Sequence, residues 1–269
     1  MMDHSLGYLP ALPLDVRFVS RRPTDGIIVS DLVFLAGEDQ QRTAYLVKPE
    51  GDGPFPIILY VHWYEPEACD ANRTQFLDEA SELAQHGVMS LLIETMWSDR
   101  EWFLKRTQAG DFDASVRQTI ELRRAMDLLL SQPGAESSQF AYVGHDFGAM
   151  YGIVAGSVDA RPTAYVLMAG TTRFPDWFLY YPQMEGDDRK EFIKQMRALD
   201  PIEHIGKLSP TPILMQFGNS DPHVPIERAQ ALSDAAGESA KTLIYNAGHA
   251  LNEAAKQDRM EWLMALLSV

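Results

Sequence analysis

A tight turn between an apolar run and a helix-like run carries the residue with the clearest chemical potential, Asp146. The segment 140–152 reads FAYVGHDFGAMYG, with an aspartate at the centre of a G-x-D-x-G pentapeptide. This arrangement matches the strand, sharp turn and helix of the G-x-S-x-G pattern, in which a strained backbone raises the central side chain. Free N–H groups at the start of the helix favour a negative charge at that point. We therefore predict Asp146 as the nucleophile of an active site.

Two polar residues later in the chain complete a candidate triad. Asp221 lies in FGNSDPHVP after the apolar run PILMQF, and His249 lies in NAGHA between the last strand-like run and the last helix. Functional residues of parallel sheets gather beyond the carboxyl ends of the strands. The chain order of nucleophile, acid and histidine is one of the known orders of catalytic triads. We predict that Asp221 orients His249 and that His249 is the base.

A carboxylate at position 146 predicts a different reaction from that of a serine or a cysteine. Attack of a carboxylate on a strained or activated sp³ carbon gives an alkyl ester of Asp146, which water activated by His249 then hydrolyses. The oxyanion of the second step needs donors that are already in place. The backbone N–H of Phe147 is one by position. Tyr64, after the third predicted strand, is expected to supply the second, and Trp63 is its replacement.

The leaving group decides between substrates, and the sequence offers candidate donors for two of them. An epoxide oxygen needs a proton donor, for which Tyr180 and Tyr181 are candidates, with Tyr64 as another. A halide needs N–H donors, for which Trp63, Trp97 and Trp177 are candidates. Glu94 directly follows the apolar run SLLI and is a candidate contact to a substrate hydroxyl. The adjacent tyrosines favour the epoxide.

Short apolar runs that alternate with amphipathic runs must position these residues. Continuous apolar runs such as PIILYV are typical of buried strands of a parallel sheet. Strands that alternate with helices predict an α/β fold, with a mostly parallel central sheet and helices on both faces. The predicted strands are 27–35, 43–47, 56–61, 88–93, 140–143, 164–168, 212–217 and 243–245. The predicted helices are 72–85, 115–130, one that begins at 147, one that begins near 226, and 250–267.

One segment interrupts the alternation. Residues 171–208 are too many for a simple connection, and their aromatic side chains need a partner to pack against. We predict a short helical cap insertion there, within a single domain of residues 1–269.

The whole chain resembles the α/β-hydrolase superfamily. The stretch DPIEHIGKLSPTPILMQFGNSDPHVP and the AGHAL segment are similar to dienelactone-hydrolase-like members. The GHDFG turn is instead similar to that of epoxide hydrolases and haloalkane dehalogenases, which carry an aspartate followed by an aromatic residue. There are departures: dienelactone hydrolases use cysteine where this chain has Asp146. The His-Gly-x-Pro turn of epoxide hydrolases is replaced by HWYEP at 62–66.

The resemblance implies a hydrolase, and the aspartate points first to an epoxide hydrolase. The alternatives are a haloalkane or haloacid dehalogenase, or a dienelactone-hydrolase-like esterase or lactonase in which Asp146 is a base. A non-catalytic binding protein is a fourth hypothesis. The retained pair of Asp221 and His249 argues against it, because a dead site has no need of an acid–base pair.

Composition restricts the partners. The net charge of −15 is spread over the 269 residues and disfavours nucleic acid and anionic membranes as partners. Cys69 is the only cysteine, which suits a reducing cytoplasm. We see no signal peptide, no membrane span, no metal motif and no G-x-G-x-x-G, and expect no cofactor. The expected partner is a small-molecule substrate, and a homodimer is left open.

Overall fold

A single nine-stranded sheet organises the computed structural model, which describes residues 6–8 and 12–269. The strands lie in the order β1-β2-β3-β5-β4-β6-β7-β8-β9. Those from β5 to β9 are parallel neighbours, and β1, β2 and β3 extend the sheet in antiparallel fashion. Their bounds are β1 Arg17–Thr24, β2 Ile27–Leu35, β3 Gln41–Pro49, β4 Phe55–Val61, β5 Met89–Ile93, β6 Ala135–His145, β7 Ala164–Met168, β8 Ile213–Gly218 and β9 Ala240–Tyr245.

Helices cover both faces of this sheet. Their bounds are α1 Leu77–Gln85, α2 Trp102–Lys105, α3 Gln108–Leu130, α4 Phe147–Gly156, α5 Pro175–Phe178, α6 Gly186–Met196, α7 Ile226–Ala236 and α8 Glu253–Leu267. Helices α3, α4 and α7 pack on one face, and α1 and α8 on the other. Within the described chain, no helix is both long and apolar enough to cross a membrane.

The alternation of side chains along β4 explains why the protein has two hydrophobic clusters, one on each face of the sheet. Every residue of β4 is buried. Ile57, Leu59 and Val61 belong to the cluster beneath α3 and α4, and Ile58 and Tyr60 to the cluster beneath α1 and α8. Successive side chains of a strand point to opposite faces, so a strand covered on both sides must be apolar throughout. The predicted fold class, with its mostly parallel sheet between two helical layers, is confirmed.

The predicted elements differ from the observed ones mainly at their ends. Strands β2 and β7 have the predicted bounds, whereas the predicted helix from residue 72 begins only at Leu77. The reason is backbone geometry, because Asn72 has a positive φ and Phe76, directly before α1, has φ −108° and ψ 11°, outside the helical region. Helix α3 begins seven residues before the predicted Ser115. Strand β1 was not expected, since all eight of its residues are exposed and show no apolar period.

The segment 171–208, expected to be a helical cap, contains α5, α6 and several short 3₁₀ turns. Phe174, Phe178 and Phe192 anchor it through buried rings. Tyr180 and Tyr181 are exposed. The apolar side chains of this segment thus divide into a packed set and a set left open to solvent.

Candidate active site

The turn between β6 and α4 holds Asp146 in a strained conformation. Its backbone has φ 54° and ψ −115°, a region that non-glycine residues rarely occupy. A Cβ at Gly144 would overlap the carbonyl of Gly148, and a Cβ at Gly148 would overlap the carbonyl oxygen of Val61. Glycine is therefore required on both sides of Asp146. The sharp turn predicted from the pentapeptide is present, with the candidate nucleophile at its tip.

The three residues of the candidate triad come together at one edge of the sheet. They follow β6, β8 and β9, which run in parallel and end on the same side. His249 Nδ1 lies 2.7 Å from Asp221 Oδ2, and His249 Nε2 lies 3.9 Å from Asp146 Oδ2. The second oxygen of Asp221 accepts hydrogen bonds from the backbone N–H groups of His223 and Val224. Asp221 is thus fixed from its own loop and holds the imidazole of His249 toward Asp146.

Two carboxylates on either side of His249 control its charge. Burial acts against the imidazolium, but the hydrogen bond to Asp221 and the negative charges of Asp146 and Asp221 outweigh it and raise the pKa of His249 to about 9. Burial also opposes the charged form of Asp221, yet the bond to His249 and the two backbone N–H groups keep the pKa of Asp221 below its ordinary value. At neutral pH the site therefore holds an imidazolium.

His145 and Trp63 contact His249 and hold it in position. His145 Nε2 lies 2.8 Å from the carbonyl oxygen of His249, and its Nδ1 lies 2.7 Å from Gln75 Nε2. Burial lowers the pKa of His145 to about 3, so that ring is neutral. The Trp63 ring stacks on His145 with centroids 4.8 Å apart and on His249 with centroids 5.5 Å apart. These contacts fix the loop that carries His249.

Backbone donors face Asp146 from the loop after β4. The N–H of Tyr64 points to Asp146 Oδ2 at 3.5 Å, and Phe147 contributes the first N–H of α4 by position. The N–H of Trp63, expected to replace Tyr64 if needed, is already bonded to Gln75 Oε1 at 2.9 Å. This expectation for Trp63 is therefore corrected, because a committed N–H cannot stabilise a new oxyanion.

A pocket of about 480 Å³ opens above these groups. The predicted residues Trp177, Tyr180 and Tyr181 line it, as do the rings of Trp63 and Tyr64. The full lining is Trp63, Tyr64, Glu65, Phe103, Asp146, Trp177, Tyr180, Tyr181, His223, His249 and Ala250. Sequence reasoning missed four of them, Glu65, Phe103, His223 and Ala250. His223 stands two residues after Asp221 in the same loop, a signal that could have been read, whereas nothing around Phe103 indicated a site.

Glu94 and Trp97, both expected at the pocket, lie elsewhere, and these two placements are corrected. Glu94 turns toward β3, where its Oε2 accepts hydrogen bonds from the N–H and hydroxyl of Thr43. Trp97 is buried, and its Nε1 donates to the carbonyl oxygen of His62 at 3.2 Å. A buried tryptophan whose N–H is satisfied has no donor left for a substrate.

Three buried polar atoms around the pocket have no hydrogen-bond partner within the described residues. They are Asp146 Oδ1, His249 Nε2 and Trp177 Nε1. Unsatisfied buried polar atoms are costly and rare in native proteins. These three atoms are therefore available to a polar ligand in the pocket. Within the same residues, no group of three His, Cys, Asp or Glu side chains is placed to hold a metal ion.

Known proteins resemble this chain in structure but not detectably in sequence. No protein-family model and no curated protein matches the sequence. The acetyl xylan esterase 1 of Thermoanaerobacterium sp. JW/SL YS485 superposes with a TM-score of 0.82 at 12% identity, over 98% of this chain and 92% of that chain. The glucuronoyl esterase of Solibacter usitatus gives 0.72 at 13%, over 98% and 92%.

A protein assigned as a dienelactone hydrolase, from Klebsiella pneumoniae subsp. pneumoniae MGH 78578, has a TM-score of 0.65 at 17% identity. The match covers 91% of this chain and 99% of that chain. The chain has the α/β-hydrolase fold.

Proposed function

We propose that this protein is a hydrolase that cleaves a carboxylic ester or lactone with a water that is held between Asp146 and His249 and deprotonated by Asp146. The observation that carries this proposal is the gap of 3.9 Å between His249 Nε2 and Asp146 Oδ2 at the floor of the pocket. The gap is too long for a direct hydrogen bond, but one water oxygen can bond to both atoms at once. Such a water would be oriented for attack on a carbonyl carbon held above it.

The charges of the site suit this reaction. The carboxylate of Asp146 would take the proton from the attacking water, whose oxygen forms the new bond to the carbonyl carbon. The imidazolium of His249 would give its proton to the departing alkoxide, and the proton on Asp146 would then pass to His249. A raised pKa makes His249 an acid that is still loaded at neutral pH. Asp221 keeps that ring in place.

The structural neighbours favour the ester over the epoxide of the initial prediction. Those described above are named as two esterases and a protein assigned as a dienelactone hydrolase, and these names denote hydrolysis of esters or lactones. We therefore propose hydrolysis of an ester or lactone. None of these three neighbours is named as an epoxide hydrolase.

A covalent reaction is a second candidate, because the residue at the turn is a carboxylate. If Asp146 attacked an sp³ carbon of an epoxide or alkyl halide, its oxygen would join that carbon as the carbon–oxygen or carbon–halogen bond broke. The ester formed would no longer carry the charge that raises the pKa of His249. The histidine would then lose its proton more easily and could activate the second-step water.

Isotope labelling separates the two reactions. The protein would be given an ester, an epoxide or an alkyl halide in ¹⁸O-water under single-turnover conditions, followed by mass analysis of the peptide that contains Asp146. Direct attack by water places the label in the product acid and leaves Asp146 unlabelled. Label in Asp146 would overturn the ester proposal in favour of the covalent route. His249→Gln is the matched variant, because only the covalent route predicts that it gains the mass of the alkyl group.

A further inference from the structure

We propose that the group bound in the pocket carries a positive charge, because six aromatic rings and the carboxylates of Glu65 and Asp146 line it without a lysine or an arginine. This inference rests on the proposed hydrolase function and names the chemical class of its substrate. An ester whose alcohol or acyl part ends in a quaternary ammonium is the simplest example.

The aromatic rings make up most of the pocket wall. They are Trp63, Tyr64, Phe103, Trp177, Tyr180 and Tyr181. Cations are attracted to the negative face of an aromatic ring, and tryptophan is the best partner. Tyr180 and Tyr181 are 69% and 54% exposed, so their faces are available to a ligand that enters from solvent. Large exposed rings at the mouth of a pocket are more readily explained by a ligand than by packing.

The charged side chains that line the pocket give it a net negative charge. Glu65 and Asp146 are its carboxylates, and the pocket lining contains no lysine or arginine. The positive charge of His249 is balanced by Asp146 and Asp221, at 3.9 Å and 2.7 Å. Glu65 therefore leaves the pocket with an uncompensated negative charge, which attracts a cation.

The arginine next to the pocket does not alter this balance. Arg106 forms a buried, two-pronged ion pair with Asp111, with distances of 3.0 and 2.6 Å, and it also donates to the carbonyl oxygen of Phe178. Its guanidinium is thus fully used within the fold. A substrate carboxylate entering the pocket would meet no lysine or arginine, and the imidazolium of His249 is already flanked by Asp146 and Asp221, so an anionic ester is disfavoured.

A pair of alcohols of the same shape tests the charge alone. Choline and 3,3-dimethylbutan-1-ol differ in one positive charge and contain no bond for the enzyme to hydrolyse. We expect choline to bind the wild-type protein about tenfold more tightly, as followed by tryptophan fluorescence or calorimetry at fixed ionic strength. Equal affinity, tighter binding of the neutral alcohol, or tighter binding of 3,3-dimethylbutanoate would overturn the inference.

Two neighbouring glutamates provide a matched pair of variants. Glu65→Gln removes the carboxylate that lines the pocket, and we expect it to reduce the preference for choline severalfold without changing the affinity for the neutral alcohol. Glu67→Gln removes the same charge two residues away, where Glu67 is 73% exposed and paired with Arg100 outside the pocket. An equal loss in both variants would mean that the overall field of the acidic protein attracts choline, which would refute a local site.

The result is distinguishable from failure of the proposed function. Choline binding without hydrolysis of any ester would retain the cation site and reject the hydrolase. Hydrolysis of neutral and cationic esters with equal kcat/KM would retain the hydrolase and reject the cation site.

Discussion

The pairing of His249 with two carboxylates makes a prediction that needs no substrate. Replacing Asp146 by asparagine keeps the shape of the side chain and removes its charge. The pKa of His249, raised to about 9 in the wild type, should then fall by at least about 1, because an opposite charge within 4 to 6 Å typically moves a pKa by about 1 to 3. Asp221 remains bonded to Nδ1 and should keep the pKa of His249 above its ordinary value.

The same coupling between His249 and the two carboxylates also stabilises the folded state. A rise in pKa from 6.5 to about 9 corresponds to about 3 kcal/mol in favour of the charged form, and the side chain is only 12% exposed. The contribution is complete below pH 6.5, where the imidazole is protonated in the folded and unfolded states alike. It disappears as the pH rises through about 9, because in that range only the folded state holds the proton. The unfolding free energy of the wild type should therefore decrease across this window, and that of Asp146→Asn should decrease less.

The assay is a titration of the histidine ring signals by NMR, together with urea unfolding at several pH values. His145 is an internal reference, because its pKa of about 3 keeps it neutral where His249 titrates. Glu136→Gln is the control variant, since it removes a carboxylate at the opposite end of the same strand, β6. An unchanged titration of His249 in Asp146→Asn would refute the coupling, and with it the pairing of Asp146 as base with His249 as acid.

Three further predictions concern other parts of the machinery. Asp221→Asn should lower kcat at least a hundredfold in steady-state assays with little change in KM, since it removes the group that orients His249. Gly148→Ala should lower the unfolding free energy in urea by about 1 to 3 kcal/mol, because its Cβ would overlap the backbone of Val61. Arg259→Met should cost about 3 to 5 kcal/mol by the same measurement, because it leaves Glu79 charged and unpaired at 3% exposure. A double change of Glu79 and Arg259 to methionine should recover part of that loss, and no recovery would contradict the argument.

The parts of the site that follow strands of the central sheet could be predicted because their positions depend on a short-range rule. The turn around Asp146 is specified by two glycines and an apolar strand, and parallel strands necessarily end on the same side. Asp221 and His249 lie at two other such ends. The proximity of Asp146, Asp221 and His249 could therefore be predicted from the amino-acid sequence. Their roles in catalysis remain a prediction.

The direction of a side chain beyond a strand end could not be predicted in the same way. Glu94 follows β5 as closely as Asp146 follows β6, yet it turns to Thr43 on the neighbouring strand. Phe103 reaches the pocket from α2, a four-residue helix with no periodic pattern. Such positions depend on the path of a whole loop and on long-range contacts, which local spacing does not encode.

The exposed edge strand β1 has a consequence for the behaviour of the protein in concentrated solution. Within residues 6–8 and 12–269 no strand pairs with its outer backbone groups, and Phe18 and Val19 are 41% and 66% exposed on it. Unprotected edges of this kind recruit strands from other molecules. The sequence RFVSRRPT places three arginines and a proline there, and the guanidinium of Arg21 covers the Phe18 ring at 4.1 Å. This strand, which contributes least to the core, carries the residues that guard the sheet against aggregation.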